Sequence, residues 1–138
     1  MKSILSQRIV KASLERVFEA YSNPDLLMKW WGPHGFSNKF NAFAFEENGV
    51  WDFVMIDEQG KEYHNINIFQ TIIPNAKIIA KHVLAPIFEI EIDFLKVSEA
   101  QTEIKFKMNF EDEVTYNALV NYVPEKNEEN FDRLEAIL

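Results

Sequence analysis

Three histidines are the side chains of this 138-residue sequence that are best suited to acid–base or metal chemistry. His34, His64 and His82 lie in separate segments, with no His-Glu-x-x-His motif and no pair at helical spacing. There is no cysteine to complete a metal site. We therefore expect no metal and no cofactor. His64 and His82 fall on predicted strands, where an imidazole that faces a cavity could orient a polar ligand group.

Catalytic motifs are not found in the sequence. Covalent or acid–base catalysis needs a reactive group with a supporting partner, but there is no Gly-x-Ser-x-Gly motif and no phosphate-binding loop. The carboxylates of Glu89, Glu91 and Asp93 alternate with apolar residues, which predicts that they face solvent on a strand. We therefore assign no catalytic residue.

Aromatic residues are the second set of candidates, because the chain has 12 Phe and 3 Trp. On a curved sheet such side chains either fill a core or enclose a ligand cavity. Trp30 and Trp31 are consecutive on a predicted helix and point about 100° apart, so at most one should enter the core fully. The predicted cavity residues, histidines included, are Trp30, Trp31, Phe36, Phe53, His64, His82, Phe88, Phe94, Phe106, Met108, Tyr122 and Phe131.

Length and charge limit the class of protein and its partners. We expect residues 1–138 to form a single domain, large enough to bury a core without disulfides. The net charge is −8, and residues 111–138 contain eight acidic side chains against Lys126 and Arg133. This balance argues against binding of nucleic acid or anionic membrane. The acidic end is interpreted as the solvated face of a helix, or else as a surface that docks on a basic partner.

Targeting signals do not stand out in the sequence. No stretch reaches the roughly 20 apolar residues of a membrane span, and residues 1–5 lack the pattern of a signal peptide. The sequence thus predicts a cytoplasmic protein without membrane insertion, either a monomer or a homodimer.

The first 33 residues predict a strand followed by two helices. The strand covers residues 4–11, and Ser13 is a typical helix N-cap. Pro24 suits the first turn of a second helix, which is predicted to run through Trp30 and to end at Gly32-Pro33. Apolar residues at i, i+3, i+4 and i+7 mark the first helix: Leu14, Val17, Phe18 and Tyr21.

Residues 36–110 predict an antiparallel sheet, because apolar and polar residues alternate between recurring turn signals. Two alternating runs, 88–94 and 103–110, are predicted to pair, with Glu91 and Asp93 near Lys105 and Lys107. Turns are predicted at Asn48-Gly49, Gln59-Gly60, Pro74-Asn75 and 98–101.

The C-terminal segment predicts helix on both sides of Pro124, which breaks or kinks it. The expected fold is α+β, in the order β, α, α, about six β, α. A curved antiparallel sheet of six or seven strands would surround one long C-terminal helix and bury the apolar stripes.

Several strings of residues resemble one family. They are 13–21 (SLERVFEAY), 29–36 (KWWGPHGF), 48–55 (NGVWDFVM) and 131–134 (FDRL). With them the chain resembles the activator of heat-shock protein 90 ATPase homologue family, in the START-like (SRPBCC) superfamily. The resemblance implies a helix-grip fold with an apolar cavity between sheet and helix. Members commonly have Gly-Trp where this chain has Lys126-Asn127, which removes a large aromatic side chain from the C-terminal helix.

The resemblance leaves three functional hypotheses open, since fold does not decide function. The first is binding of an apolar or amphipathic small molecule in that cavity. The second is a co-chaperone or stress-response role on a heat-shock chaperone ATPase. The third is a cyclase-type enzyme, which would require a polar pair inside the cavity, such as His64 or His82 beside a carboxylate.

Overall fold

The computed structural model describes residues 1–138 as seven strands and four helices. The strands form a single antiparallel sheet in the order β1-β7-β6-β5-β4-β3-β2, which confirms the predicted α+β helix-grip architecture and element order. The elements are β1 Lys2–Val10, α1 Leu14–Ser22, α2 Pro24–Trp30, β2 Ser37–Phe43, β3 Val50–Ile56, β4 Glu62–Ile73, β5 Lys77–His82, β6 Phe88–Ser98, β7 Gln101–Phe110, α3 Glu113–Leu119 and α4 Val123–Ile137.

Local capping defines the first two helices. The Ser13 hydroxyl accepts from the backbone N–H of Arg16, as its N-cap position predicts. Asn23 both ends α1, by donating its N–H to the carbonyl of Glu19, and begins α2, by accepting from the N–H of Asp25. A single residue therefore caps both helices.

The central hairpins follow the predicted turns and register. Asn48 adopts a left-handed backbone with φ 67°, and Gly49 has no room for a side chain because a Cβ there would contact the Ala44 carbonyl oxygen. On the outer face of the sheet, Glu91 lies opposite Lys107 and Asp93 opposite Lys105, which confirms the predicted pairing.

The C-terminal segment contains two helices instead of one. Pro124 lies in the first turn of α4, the place in a helix where its missing N–H costs nothing. The first helix therefore ends at Leu119, and a second helix begins at Val123. Over the 15 residues of α4, Phe131 and Leu134 are buried against the sheet.

The acidic outer side of α4 is held to the sheet by one cation. The guanidinium of Arg8 on β1 donates to Glu128, Asp132 and Glu135 at 2.7–2.9 Å and lies 5.3 Å from the ring centre of Phe131. The predicted solvated helix face is thus partly neutralised within the chain. No helix is long and apolar enough to cross a membrane.

Aromatic side chains fill the concave face of the sheet beneath α1 and α2. Phe94 lies 5.2 Å from Phe18 and 5.1 Å from Tyr21, measured between ring centres. Tyr21 in turn lies 4.7 Å from Trp30, whose indole N–H donates to the carbonyl of Ala20. We call Phe18, Tyr21, Trp30 and Phe94 the packed half of the core. A void of only about 20 Å³ remains nearby.

Candidate ligand-binding cavity

A cavity of about 160 Å³ separates the other half of the concave face from the first turns of α4. Apolar cavities of about 150 Å³ hold a molecule the size of benzene. The cavity lining comes from the sheet (Phe53, Met55, Asn65, Asn67, His82, Phe88, Ile90, Phe106 and Met108), from the end of α2 and the residues after it (Trp31, Gly32 and Pro33), and from α4 (Lys126, Asn127 and Asn130). We call this region the open half of the core.

Trp31 forms one wall of the cavity, and its neighbour Trp30 belongs to the packed half. The Trp31 ring lies 5.0 Å from Trp51 and 6.1 Å from Phe106. The expectation that one of the two tryptophans would stay partly exposed is wrong, because Trp30 is 1% and Trp31 8% exposed. They point in different directions, but α4 covers the end of α2, so both directions lead into the interior.

The wall that contains Trp31 is tethered to α4 by Arg133. Its guanidinium donates to the carbonyls of Lys29, Trp31, Gly32 and Pro33 at 3.0–3.1 Å. Lys29 lies in the last turn of α2 and Trp31 is its C-cap, so their carbonyls have no intrahelical partner. Partial burial lowers the pKa of Arg133. Its guanidinium is nevertheless a cation at the C-terminal end of α2, where the helix dipole favours positive charge.

Gly32 allows this tether to form. It has φ 101°, a left-handed conformation that favours glycine, and a Cβ there would lie 2.6 Å from Cε of Met55. Its N–H donates to Oδ1 of Asn130 on α4 at 3.0 Å. The backbone of Gly32 thus connects the wall of the cavity that follows α2 to helix α4, which forms the cavity roof.

His82 and Asn65 lie next to each other on the cavity floor. His82 Nδ1 donates to the carbonyl of Pro86 at 2.8 Å, so Nε2 of the neutral imidazole is an acceptor, and it lies 2.8 Å from another acceptor, Oδ1 of Asn65. The Asn65 amide donates to the carbonyl of Tyr63 at 2.9 Å. Burial lowers the pKa of His82 below its ordinary value of 6.5, against the opposing effect of the Pro86 and Leu84 carbonyls.

Asn67 is a further polar residue of the floor. The residue is 1% exposed and lines the cavity beside His82, its cross-strand partner on β5. Its Oδ1 is covered by neighbouring atoms and has no hydrogen-bond donor in the chain. An acceptor left in this state costs free energy.

The roof of the cavity has three polar side chains on α4. Asn127 donates to the Ser6 hydroxyl at 3.2 Å, and Asn130 accepts from Gly32. Lys126 lies 3.4 Å from a carboxylate oxygen of Glu129 and 5.4 Å from the ring centre of Tyr122. These short or outward-directed side chains leave the space beneath α4 unfilled.

The structure brings six of the twelve predicted cavity residues together around this space. They are Trp31, Phe53, His82, Phe88, Phe106 and Met108. The other six lie elsewhere: Trp30, Phe36, His64, Phe94, Tyr122 and Phe131.

His64 was expected near the cavity but lies on the opposite face of the sheet. Successive side chains of a strand point to opposite faces, and the adjacent Asn65 lines the cavity. His64 is exposed, with Nε2 2.7 Å from Oδ1 of Asp52. Hydrogen bonds from His64 and Asn41 hold the pKa of Asp52 below its usual value.

The remaining five predicted residues pack elsewhere for identifiable reasons. Trp30 and Phe94 belong to the packed half, because α1 and α2 cover that part of the sheet. Phe131 is buried beneath Arg8. Phe36 packs on Tyr63 at 5.9 Å, and Tyr122 precedes α4 with 60% of its surface exposed.

Sequence reasoning missed the asparagines that make the cavity polar. Asn65 and Asn67 occupy the same inward register as Phe69 on β4, and Asn127 and Asn130 lie one turn apart on α4. A polar residue at an inward strand position is the signal in the sequence that points to Asn65 and Asn67.

The chemical capacity of the cavity is binding by apolar contact and neutral hydrogen bonds. Its lining contains no Asp or Glu, so the imidazole–carboxylate pair that a cyclase-type enzyme would require is not assembled there. No group of three or more His, Asp or Glu side chains is arranged as metal ligands.

A comparison with known protein families identifies the family of this chain. Residues 11–138 match the model of the family described as "Activator of Hsp90 ATPase homolog 1-like protein". The chain belongs to this family. No curated protein matches it.

Solved structures of similar fold come from several bacteria. A protein from Arthrobacter aurescens, solved by NMR, has a TM-score of 0.90 at 17% identity over 98% of this chain and 84% of its own. A crystal structure from Nitrosomonas europaea has a TM-score of 0.87 at 15% identity, covering 97% and 92%. An AHSA1 protein from Silicibacter pomeroyi has 0.76 at 15%, covering 98% and 96%. At these identities the likeness establishes the fold.

Proposed function

We propose that this member of the family binds a small apolar or amphipathic molecule, about the size of one aromatic ring, in the cavity beneath α4. The observation that carries the proposal is the cavity itself, about 160 Å³ with aromatic and aliphatic walls and a few polar side chains on its floor and roof. Ligand sites combine apolar walls with a few placed polar groups in this way.

The size of the cavity restricts the ligand. A space of about 160 Å³ is well below the several hundred cubic ångströms expected of a lipid-sized pocket. Phe53, Phe106 and Met108 are nearly fully buried at its boundary, so enlarging it would require displacing packed core residues. A one-ring ligand fits without such displacement.

The test is to fill the cavity from its roof. We expect toluene, titrated into ¹⁵N-labelled protein, to shift amide resonances of β4, β5 and β7 around the cavity. Asn127→Trp places an indole in the space and should weaken toluene binding at least about tenfold, since each 1.4 kcal/mol of lost contact is a factor of ten.

The matched control is Glu125→Trp, which adds the same side chain at an exposed position of α4. It should leave toluene binding unchanged. Saturable shifts that are equal in wild type and N127W would place the ligand elsewhere, and no saturable shift in wild type would end the proposal.

A role on a heat-shock chaperone is the second candidate, suggested by the family description. The exposed acidic side chains of α3 and α4, among them Glu113 and Glu125, supply a surface for a basic partner. Adding the chain to an Hsp90-type chaperone should then raise its ATP turnover, and an unchanged turnover would exclude this role.

A further inference from the structure

We infer that the contact between His82 and Asn65 on the cavity floor is a proton-uptake site, and that its ligand is a one-ring aromatic carboxylate that binds together with one proton from solvent. The inference rests on the proposed function and specifies the charge of its ligand. It follows from a count of the hydrogens that join the imidazole and the amide to the backbone.

A row of three polar contacts crosses the cavity floor and ends on a backbone carbonyl at each side. The carbonyl of Pro86 lies 2.8 Å from Nδ1 of His82, and Nε2 of that ring lies 2.8 Å from Oδ1 of Asn65. The amide nitrogen of Asn65 lies 2.9 Å from the carbonyl of Tyr63. Each contact has the length of a hydrogen bond and needs one hydrogen, so the row needs three.

The neutral side chains supply only two of these hydrogens. A neutral imidazole has one N–H, and the Asn65 amide donates on one side of the row and accepts on the other. Moving the imidazole proton to Nε2, or turning the amide over, changes which contact lacks a hydrogen but never removes the deficit. An imidazolium has two N–H groups and completes the row.

Burial keeps that second proton off His82 in the free protein. The residue is 5% exposed and stacks on Phe88 of β6 at 4.7 Å between ring centres, and burial lowers its pKa. The polar side chains beside it on β4, Asn65 and Asn67, are uncharged, and the one titratable side chain on the roof of the cavity is the cation Lys126. No carboxylate in the lining balances an imidazolium, so the balancing charge has to come with the ligand.

An aromatic carboxylate supplies this charge and still fills the apolar part of the cavity. Its ring can pack between Trp31 and Phe106, which line the space. Its negative charge favours the protonated form of His82, since a nearby opposite charge stabilises an ionised group. A neutral ligand of the same shape gives no such gain, and the floor then stays neutral.

The experiment compares benzoate, benzamide and toluene on wild type at pH 6 and pH 7. Benzamide has nearly the shape of benzoate without its charge. Uptake of one proton with the ligand makes affinity fall about tenfold for each pH unit, so benzoate should bind about tenfold more weakly at pH 7 than at pH 6. Benzamide and toluene should each bind equally well at the two pH values.

The ¹⁵N chemical shifts of the His82 ring observe the proton directly and need no variant. One ring nitrogen should be unprotonated in the free protein at pH 7. Saturating benzoate should move its shift to that of a protonated nitrogen, and saturating benzamide should not.

Two variants and a matched control locate the proton. His82→Gln removes the titrating ring and should abolish the pH dependence of benzoate affinity. Asn65→Leu keeps the ring but removes the two contacts beyond it, so the pH dependence should shrink. His64→Gln, on the outer face of the sheet, should keep the tenfold fall. If H82Q does not fold, the ring-nitrogen shifts of wild type decide the question.

The outcomes separate the inference from the function on which it rests. If toluene does not bind wild type, the proposed function fails. If toluene binds but benzoate does not, or benzoate binds equally at both pH values without a change in the ring-nitrogen shift, the proton-uptake site is refuted while the cavity stands. A tenfold fall that persists in H82Q, or in full in N65L, refutes it as well.

Discussion

The packed half and the open half of the core share one sheet but differ in what covers them. Beneath α1 and α2 the rings of Phe18, Tyr21, Trp30 and Phe94 meet at 4.7–5.2 Å. Beneath the start of α4 a space of about 160 Å³ remains. The sheet contributes aromatic side chains to both halves, although Asn65, Asn67 and His82 also face the open half, and the helices above differ as well.

The helices differ in the side chains that they direct at the sheet. α1 and α2 contribute large aromatic residues, whereas the first two turns of α4 contribute Asn127 and Asn130, which are short and bonded to Ser6 and Gly32. Further along α4, Phe131 and Leu134 close the core again. A ligand cavity therefore arises here from two small polar residues on one helix turn.

The sharpest test of this contrast removes one phenylalanine from each half. Phe94→Ala should lower the free energy of unfolding by about 3–5 kcal/mol, because the ring is buried among other rings. Phe88→Ala should cost only about 1–2 kcal/mol, since this half-buried ring borders the cavity and stacks on His82. Urea unfolding measures both, and equal losses would contradict the division.

Arg133 should affect the open half through its wall. Arg133→Met leaves the carbonyls of Lys29 and Gly32 without a donor, while those of Trp31 and Pro33 keep the N–H groups of Asn38 and Phe36. We expect a loss of about 2–3 kcal/mol in the free energy of unfolding. Toluene binding should weaken as well, because Trp31 loses its tether. A variant that loses stability but keeps full affinity would show that the wall stands without Arg133.

The smallest predicted effect is on pH dependence. Because burial lowers the pKa of His82, the unfolded chain binds a proton at higher pH than the folded chain does. Stability should therefore fall as pH drops through 6.5 and below. His82→Gln should reduce this slope, and identical slopes in wild type and H82Q would refute the assignment.

The fold was largely predictable because its signals are local and repeated. The alternation at 88–94 and 103–110 set the β6–β7 register, and Ser13 and Pro24 marked helix starts that the structure has. Pro124 predicted a break or a kink. Only the structure shows a full break into two helices, with Tyr116 of α3 packed on Phe110 of β7 at 6.0 Å between ring centres.

The cavity was predictable only in part, for a physical reason. Period-two alternation places Phe106 and Met108 on the inner face but cannot tell which helix lies above them. By sequence, Phe88 and Phe94 are both expected on the inner face. In the structure Phe94 packs against Phe18 of α1, whereas Phe88 borders the cavity. His64 was misplaced by a single register step, which is enough to exchange the faces of a strand.

The pairing of β1 with β7 determines when this cavity can form during synthesis. Lys2 lies opposite Phe110, so β1 cannot pair until β7 has been synthesised. Helix α4, which covers the cavity, begins only at Val123. Until then Phe53, Phe88 and Phe106 have no helix above them. A nascent chain halted before α4 would therefore expose these aromatic side chains. Only a chain that includes α4 can enclose a ligand.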